Sequence, residues 1–332
     1  MENAPVRLGA DGGLAASTRE ADVRILVVPS LIRVTELTAL SAARLTGRGD
    51  LERVREEAAV AMRDAIEELG VGGRVVLGPR GDRVLSHGTV LGRADDPQFD
   101  FAVYPVEGAS LVAKGLTGAL SLLVAVEPGA FPALPGVWYA EKIAAGAMAR
   151  GAIDINDPLA DNLRRIAFAR NVRVSDLAVA ILDRPRHADL IREVRDLGAR
   201  IVLLEEGEIA GALMAATEGT GIDAMVGIGG LQETVIAACA IRCLGGVIQA
   251  RLWPRNDEER ELAGADLART LSVDDLSPAQ VDVAVSGVSG GPLLRAAWYG
   301  SLWSETDSLT MSTRFSTVRR IQTKHQRAPT TQ

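Results

Sequence analysis

Chemistry in this chain would start at the run Asp100-Phe-Ala-Val-Tyr104-Pro-Val-Glu107-Gly-Ala109. Phe101, Ala102 and Val103 read as a strand, and Pro105-Val-Glu-Gly108 reads as the turn that ends it. Tyr104, Glu107 and Ala109 therefore fall where a strand hands over to a loop. Parallel α/β sheets place ligand sites at such carboxyl ends. A carboxylate there can ligate a metal ion or move a proton. Arg184-Pro-Arg186 offers two guanidinium forks able to grip phosphate oxygens in pairs; a surface pair at the start of the next helix is the other reading. Arg55, Arg80 and Arg83 also admit two readings, an anion-holding cluster or solvated charges of a helix and a loop. Glu206 and Glu208 taken alone are acids at a helix N-terminus.

Composition narrows the field. Of 332 residues 47% are apolar and only 4% aromatic, so a large core of small side chains in closely spaced layers is expected. The net charge of −7, with no long basic run, argues against nucleic acid as a partner. No apolar run is long enough for a membrane span, and the first residues lack the pattern of a secretory signal. A cytoplasmic protein is expected. Cys239 and Cys243 stand four apart and read as buried thiols on one helix face. His87, His187 and His325 are scattered and form neither a Ser/His/Asp order nor an HExxH pattern.

The elements that must position these residues follow from periodicity. Val23 to Val28 is a short β-branched run, a strand or the lead into a helix. Helices are expected from about Leu31 to Leu45 and from Leu51 to Leu69, then a strand at Arg74–Leu77 and a loop at Gly78-Pro-Arg-Gly-Asp82. Strands are expected at Ala119–Val126 and from Trp138 through Lys142, and a helix from Pro158 to about Asn171. Alternation then becomes regular: strand Leu177–Leu182, helix His187–Leu197, strand Ile201–Leu204, helix Glu208–Ala216, strand Asp223–Ile228, helix Glu233–Leu244. Later strands are read at Val281–Val285, Asp307–Met311 and Ser316–Ile321. Asp95-Asp96 reads as a solvated loop. Such alternation predicts α/β layering.

Several separated stretches, in order, resemble the class II fructose-1,6-bisphosphatases of the inositol-monophosphatase-like superfamily. They are Arg33-Val-Thr-Glu36, Gly47-Arg-Gly-Asp50, Pro105-Val-Glu-Gly108, Tyr139-Ala-Glu-Lys142, Gly151-Ala-Ile-Asp-Ile-Asn, Pro158-Leu-Ala-Asp-Asn-Leu163, Arg184-Pro-Arg-His187, Gly227-Ile-Gly-Gly230 and Val318-Arg-Arg-Ile-Gln322. The resemblance implies a layered αβαβα fold, Mg²⁺ or Mn²⁺ as cofactor, a phosphorylated sugar as ligand and a homo-oligomer, dimer or tetramer. It places substrate contacts at Tyr139, Arg184, Arg186, Glu206, Glu208 and Gly230. It also divides the chain into a flexible segment 1–29, a lobe 30–155 with a degenerate metal site, a sugar-phosphate lobe 156–325 and a tail 326–332.

The departures lie where the family does its chemistry. Arg55, Pro79 and Tyr104 stand at metal-ligand positions, and Arg83 and Ala109 at catalytic ones. Glu107 and Glu233 remain as ligand-type carboxylates, and Asp82 stands one place from a lost acid. A Mg²⁺ site needs several oxygen ligands in near-octahedral geometry. The remaining carboxylates are expected to pair with the incoming arginines, and Tyr104 to plug the former metal cavity. Three functions follow: a sugar-phosphate binder without metal-dependent hydrolysis, serving as a sensor or regulatory subunit or repurposed to a metal-free reaction; a residual phosphatase with one metal on Glu107, Glu233 and Asp82 or Asp100; or a non-catalytic partner of an active paralogue.

Overall fold

A computed structural model describes residues 30–92 and 98–326. The run Val23–Val28, Asp95-Asp96, the segment 1–29 and the tail beyond 326 lie outside the described residues. Helices α1 (30–43) and α2 (Leu51–Glu68) come first. Then follow β1 (Gly73–Leu77), β2 (Val90–Leu91), β3 (Phe99–Glu107), α3 (Ala109–Lys114) and β4 (Leu120–Val126). The middle of the chain alternates as β5 (Tyr139–Ala145), α4 (Leu159–Arg170), β6 (Ala178–Leu182), α5 (Ala188–Asp196), β7 (Arg200–Leu204), α6 (Glu208–Ala216), β8 (Ala224–Gly230) and α7 (Leu231–Leu244). It continues with β9 (Val247–Trp253), α8 (Asp257–Ala263), β10 (Leu271–Ser272) and α9 (Val273–Leu276). The chain closes with β11 (Asp282–Gly287), β12 (Trp298–Tyr299), β13 (Trp303–Ser312) and β14 (Thr317–Gln326).

Two sheets form. One has eight strands in the order β12-β13-β11-β4-β3-β1-β2, with β14 also pairing β13; the other has six in the order β10-β9-β5-β8-β6-β7. Sheet membership does not follow chain order, because β11–β14 return to the sheet begun by β1–β4, while β5 lies in the other. The sheets are mixed: β1–β3, β6–β7 and β6–β8 pair in parallel and the remaining pairings are antiparallel. The ligand-site rule for parallel sheets therefore applies only locally, at β3 beside β1 and at β6 beside β7 and β8.

Burial sorts the elements into five layers. Leu31, Val34, Met62 and Ile66 of α1 and α2 pack on Val75, Phe101, Val103 and Leu123 of the first sheet. The opposite face of that sheet, through Ala102, Leu122, Val124 and Val283, packs on α6 and α7, whose other side meets Ala140, Ala180 and Ile248 of the second sheet. Leu163, Ile166 and Val194 of α4 and α5 cover the far face. The order is α, β, α, β, α. Helices α6 and α7 form the middle layer, which explains why most of their residues are apolar and buried. The segment 245–280 carries no expectation from periodicity, yet Val247-Ile-Gln-Ala-Arg-Leu-Trp253 alternates and forms the strand next to β5.

Close packing is strict where β1 crosses Phe101. A Cβ on Gly73 would stand inside the Phe101 ring, which is itself fully buried and stacked near Phe99. Gly73→Ala is therefore expected to lower stability by about 1–3 kcal/mol through overpacking. Thermal denaturation of the variant checks this; an unchanged midpoint would show that the ring has room to move.

Candidate active-site cleft

The site begins with a β-bulge. In β3, Tyr104 faces Leu122 of β4 and Glu107 faces Leu120, so three steps on one strand match two on the other. Pro105, which has no N–H to give, lies inside this irregularity. The parity of the strand flips there. Val103 points to the α1/α2 side and Tyr104 to the middle layer; after the bulge Val106 points outward and Glu107 inward. Without it, residues three apart would face opposite sides. The bulge thus aims Tyr104 and Glu107 at the same place.

That place is the N-terminal end of the middle helices. Helix α6 starts after Gly207, at φ 94°, which offers no capping side chain of its own. Glu107 supplies the cap from the other sheet: its Oε1 accepts from Ile209 N at 2.5 Å and its Oε2 from Ala210 N at 2.8 Å. Glu208, the first residue of α6, pairs with Lys142 of β5 and accepts from Gly230 N at 3.1 Å. Lys142 is only 3% exposed. Glu233, in the first turn of α7, accepts from the Tyr104 hydroxyl at 2.9 Å. Glu107, Glu208 and Glu233 thus each have their own donor.

Electrostatics follow from burial. Burial pushes the Glu107 carboxyl up to about 8, against the two α6 N–H groups that favour its charge. Burial and the neighbouring Glu208 also raise Glu233, and burial with Glu233 raises the Tyr104 phenol far above its ordinary value, so it stays a donor.

Around this floor lies a cleft of about 840 Å³. Arg55, Arg80, Arg83 and Arg184 line it, together with Pro79, Asp82, Tyr104, Glu107, Ala109, Glu206, Glu208 and Glu233. The structure brings together residues far apart in sequence, including both arginine groups. It does not bring the remaining substrate-contact positions onto the cleft lining. Arg186 donates to the Ile228 carbonyl from Nε at 3.3 Å and Nη2 at 2.8 Å, and lies 5.4 Å from the Tyr139 ring. Tyr139 packs edge-on against Trp253, and Gly230 gives its N–H to Glu208. Glu206 accepts from Ser110 N at 3.3 Å, at the start of α3.

Several expectations are corrected. Glu107 and Glu233 do not pair with the incoming arginines: helix N–H groups and a phenol hold them instead. Arg55 pairs with Glu52 on the exposed face of α2, at 3.0 Å. Asp82 lines the cleft and turns its Oδ1 back on its own loop, accepting from Val84 N at 2.8 Å and Leu85 N at 2.9 Å. Asp100 sits at the opposite end of β3, where it accepts from Gly129 N at 2.6 Å. The residues present do not fit a Mg²⁺ or Mn²⁺ ion. Both oxygens of Glu107 already take N–H donors, and among the described residues no three His, Cys, Asp or Glu side chains converge as a ligand group.

Three positions escaped sequence reasoning. Lys142 belongs to the Tyr139–Lys142 motif; a lysine inside an apolar strand is the available signal that an acid faces it. His187 is buried, and accepts at Nε2 from Ile228 N at 2.8 Å, so its Nδ1 carries the proton given to the Leu182 carbonyl. Burial and Arg186 keep this ring neutral, as a brace between β6 and β8. Trp138 carries two arginines: Arg80 at 3.4 Å and Arg255 at 4.3 Å from its ring centre. Cys239 and Cys243 are free, and burial pushes both thiols up to about 12.

Two outcomes are expected. Lys142→Met leaves the partly buried Glu208 without its cation, and should cost about 3–5 kcal/mol; adding Glu208→Gln should restore much of it. Chemical denaturation of the single and double variants reads this directly. The second concerns pH. Because the folded-state Glu107 carboxyl is raised above its unfolded value of 4.5, folding favours the protonated form. Its contribution is fully present below about pH 4.5 and is lost as pH rises through about 8. The stability of the native chain minus that of Glu107→Gln should therefore fall across this window; a flat difference would show that the helix cap holds the charge without penalty.

From residue 25 to 325 the sequence matches the family model described as bacterial fructose-1,6-bisphosphatase, glpX-encoded. Among its relatives is the D-fructose 1,6-bisphosphatase class 2/sedoheptulose 1,7-bisphosphatase of Synechococcus sp. (strain JA-2-3B'a(2-13)), 36% identical over 89% of this chain and 94% of that protein. The protein of the same name from Synechococcus sp. (strain JA-3-3Ab) is also 36% identical over the same shares. A D-fructose 1,6-bisphosphatase class 2/sedoheptulose 1,7-bisphosphatase 2 from Acaryochloris marina (strain MBIC 11017) is 32% identical, again over 89% and 94%. Family match, five-layer fold and the sequence motifs agree: the chain belongs to the class II fructose-1,6-bisphosphatase family.

Proposed function

We propose that this chain binds a phosphorylated sugar on guanidinium groups and has lost metal-dependent phosphatase activity. One observation carries the reading. Arg80, Arg83 and Arg184 line the cleft, and among the described residues none has a carboxylate within ion-pair distance, while Glu107, Glu208 and Glu233 are each held by a donor of the protein. A phosphate ester meets the unpaired cations. A dication meets carboxylates already engaged. The relatives' names point to sugar bisphosphates as the ligand class, and the family in general works with divalent metal ions. Without a metal, Arg80, Arg83 and Arg184 would bind and orient the ester, and neither Tyr104 nor Ala109 supplies a base or a nucleophile. Tyr104 keeps its proton on Glu233, and Ala109 has no hydroxyl. Losing even one electrostatic stabiliser of a transition state costs about 100- to 1000-fold. The family resemblance further supports a homo-oligomer, dimer or tetramer, in the cytoplasm.

The test is a calorimetric titration with fructose 1,6-bisphosphate, in EDTA and again with Mn²⁺, paired with an assay of phosphate release. Equal affinity in both, with release at the buffer background, is expected. Mn²⁺-dependent release would restore the residual-phosphatase reading. Absence of binding under both conditions would leave the role of a partner for an active paralogue.

A further inference from the structure

The loop between β1 and β2 carries Arg80 to an unusual neighbour. Pro79 fixes one backbone angle before it, and Asp82 closes the loop onto Val84 N and Leu85 N. The Arg80 guanidinium lies 3.4 Å from the centre of the Trp138 indole, which precedes β5 in the other sheet. Arg255 reaches the same ring at 4.3 Å. The two cations differ in one respect. Arg255 is neutralised by Glu259, which takes its Nε at 2.6 Å and its backbone N at 3.0 Å. Arg80 has no ion pair or hydrogen bond of its own among the described residues, although Glu233 lies near enough to attract it.

The ring is fixed in place. Glu259 is 3% exposed and also accepts from the Trp138 backbone, so one buried acid holds both Arg255 and the residue that carries the indole. Asn256 caps the same short helix, accepting from Glu259 N at 2.9 Å. Stacking on an aromatic face fixes the plane of a guanidinium while leaving its N–H edge free. Arg80 is also a lining residue of the cleft.

We propose that Trp138 is the positioning residue of the phosphate grip: it holds Arg80 flat, so that the free N–H edge of Arg80 takes a pair of phosphate oxygens of the bound ester. This rests on the reading of the cleft as a sugar-phosphate site and adds which arginine does the gripping and what aims it. Arg255, fully paired, braces the ring and does not bind.

The experiment is a double-mutant cycle on affinity for fructose 1,6-bisphosphate in EDTA, with Trp138→Leu, Arg80→Ala and the pair. Trp138→Leu should weaken binding about tenfold, Trp138→Phe should restore it to within about twofold, and the double variant should bind no worse than Arg80→Ala alone. Arg80→Lys, which keeps the charge and loses the planar fork, should behave like Arg80→Ala. This variant sits on an exposed loop and keeps the test alive if Trp138→Leu folds poorly. Ligand should also change tryptophan emission in the native chain and not in Arg80→Ala. The proposal fails if Arg80→Ala or Trp138→Leu binds like the native chain, or if the two losses simply add. If Arg184→Ala then abolishes binding, the cleft reading survives without it. If the native chain itself does not bind, both fall together.

Discussion

One carboxylate ties this molecule together. Glu107 leaves the first sheet and caps a helix of the middle layer, giving α6 the N–H partners that Gly207 cannot offer. Sheet, bulge and helix must then meet in one register, because both oxygens are engaged. Breaking that cap would strand a buried acid and uncap a buried helix at once. Glu208 repeats the device in the opposite direction, tying the first residue of α6 to Lys142 of the second sheet. The floor of the cleft is therefore the joint between the two sheets. Glu107 and Glu208 thus serve as the structural joints of that floor.

The floor and the rim of the cleft collect acids and guanidinium groups for different reasons. The acids lie at helix N-termini, where aligned N–H groups favour negative charge. The arginines stand on a loop, on α2 and after β6, where solvent reaches them and no acid neutralises three of them. The geometry keeps floor and rim from cancelling each other. Tyr104 contributes by occupying Glu233 with a neutral donor whose proton burial makes hard to lose.

Much of this was legible in the sequence. Helices α2, α4, α5 and α7 and strands β4, β6 and β8 follow directly from periodicity, and the layered fold from spaced motifs. The pairing of Tyr104 with Glu233 was not legible, since a bulge reverses the parity that alternation would assign. By charge alone, arginines facing the surviving carboxylates are the natural neutralisers. The structure shows that backbone N–H groups reach Glu107 first, a contact invisible in residue types. The grouping of Arg80 with Trp138 depends on two loops from different sheets, and sequence proximity says nothing of it.

The return of β11–β14 to the first sheet has a consequence for how the chain is born. Strand β4 lies between β3 and β11, so its second edge stays unpaired until nearly the whole chain exists. An all-buried apolar strand with one open edge is prone to pair with the wrong neighbour. During synthesis the N-terminal half must therefore wait, incomplete, while the second sheet is made. Strands β11–β14 close the first sheet last, so the open edge over that interval follows from the topology rather than from any single residue.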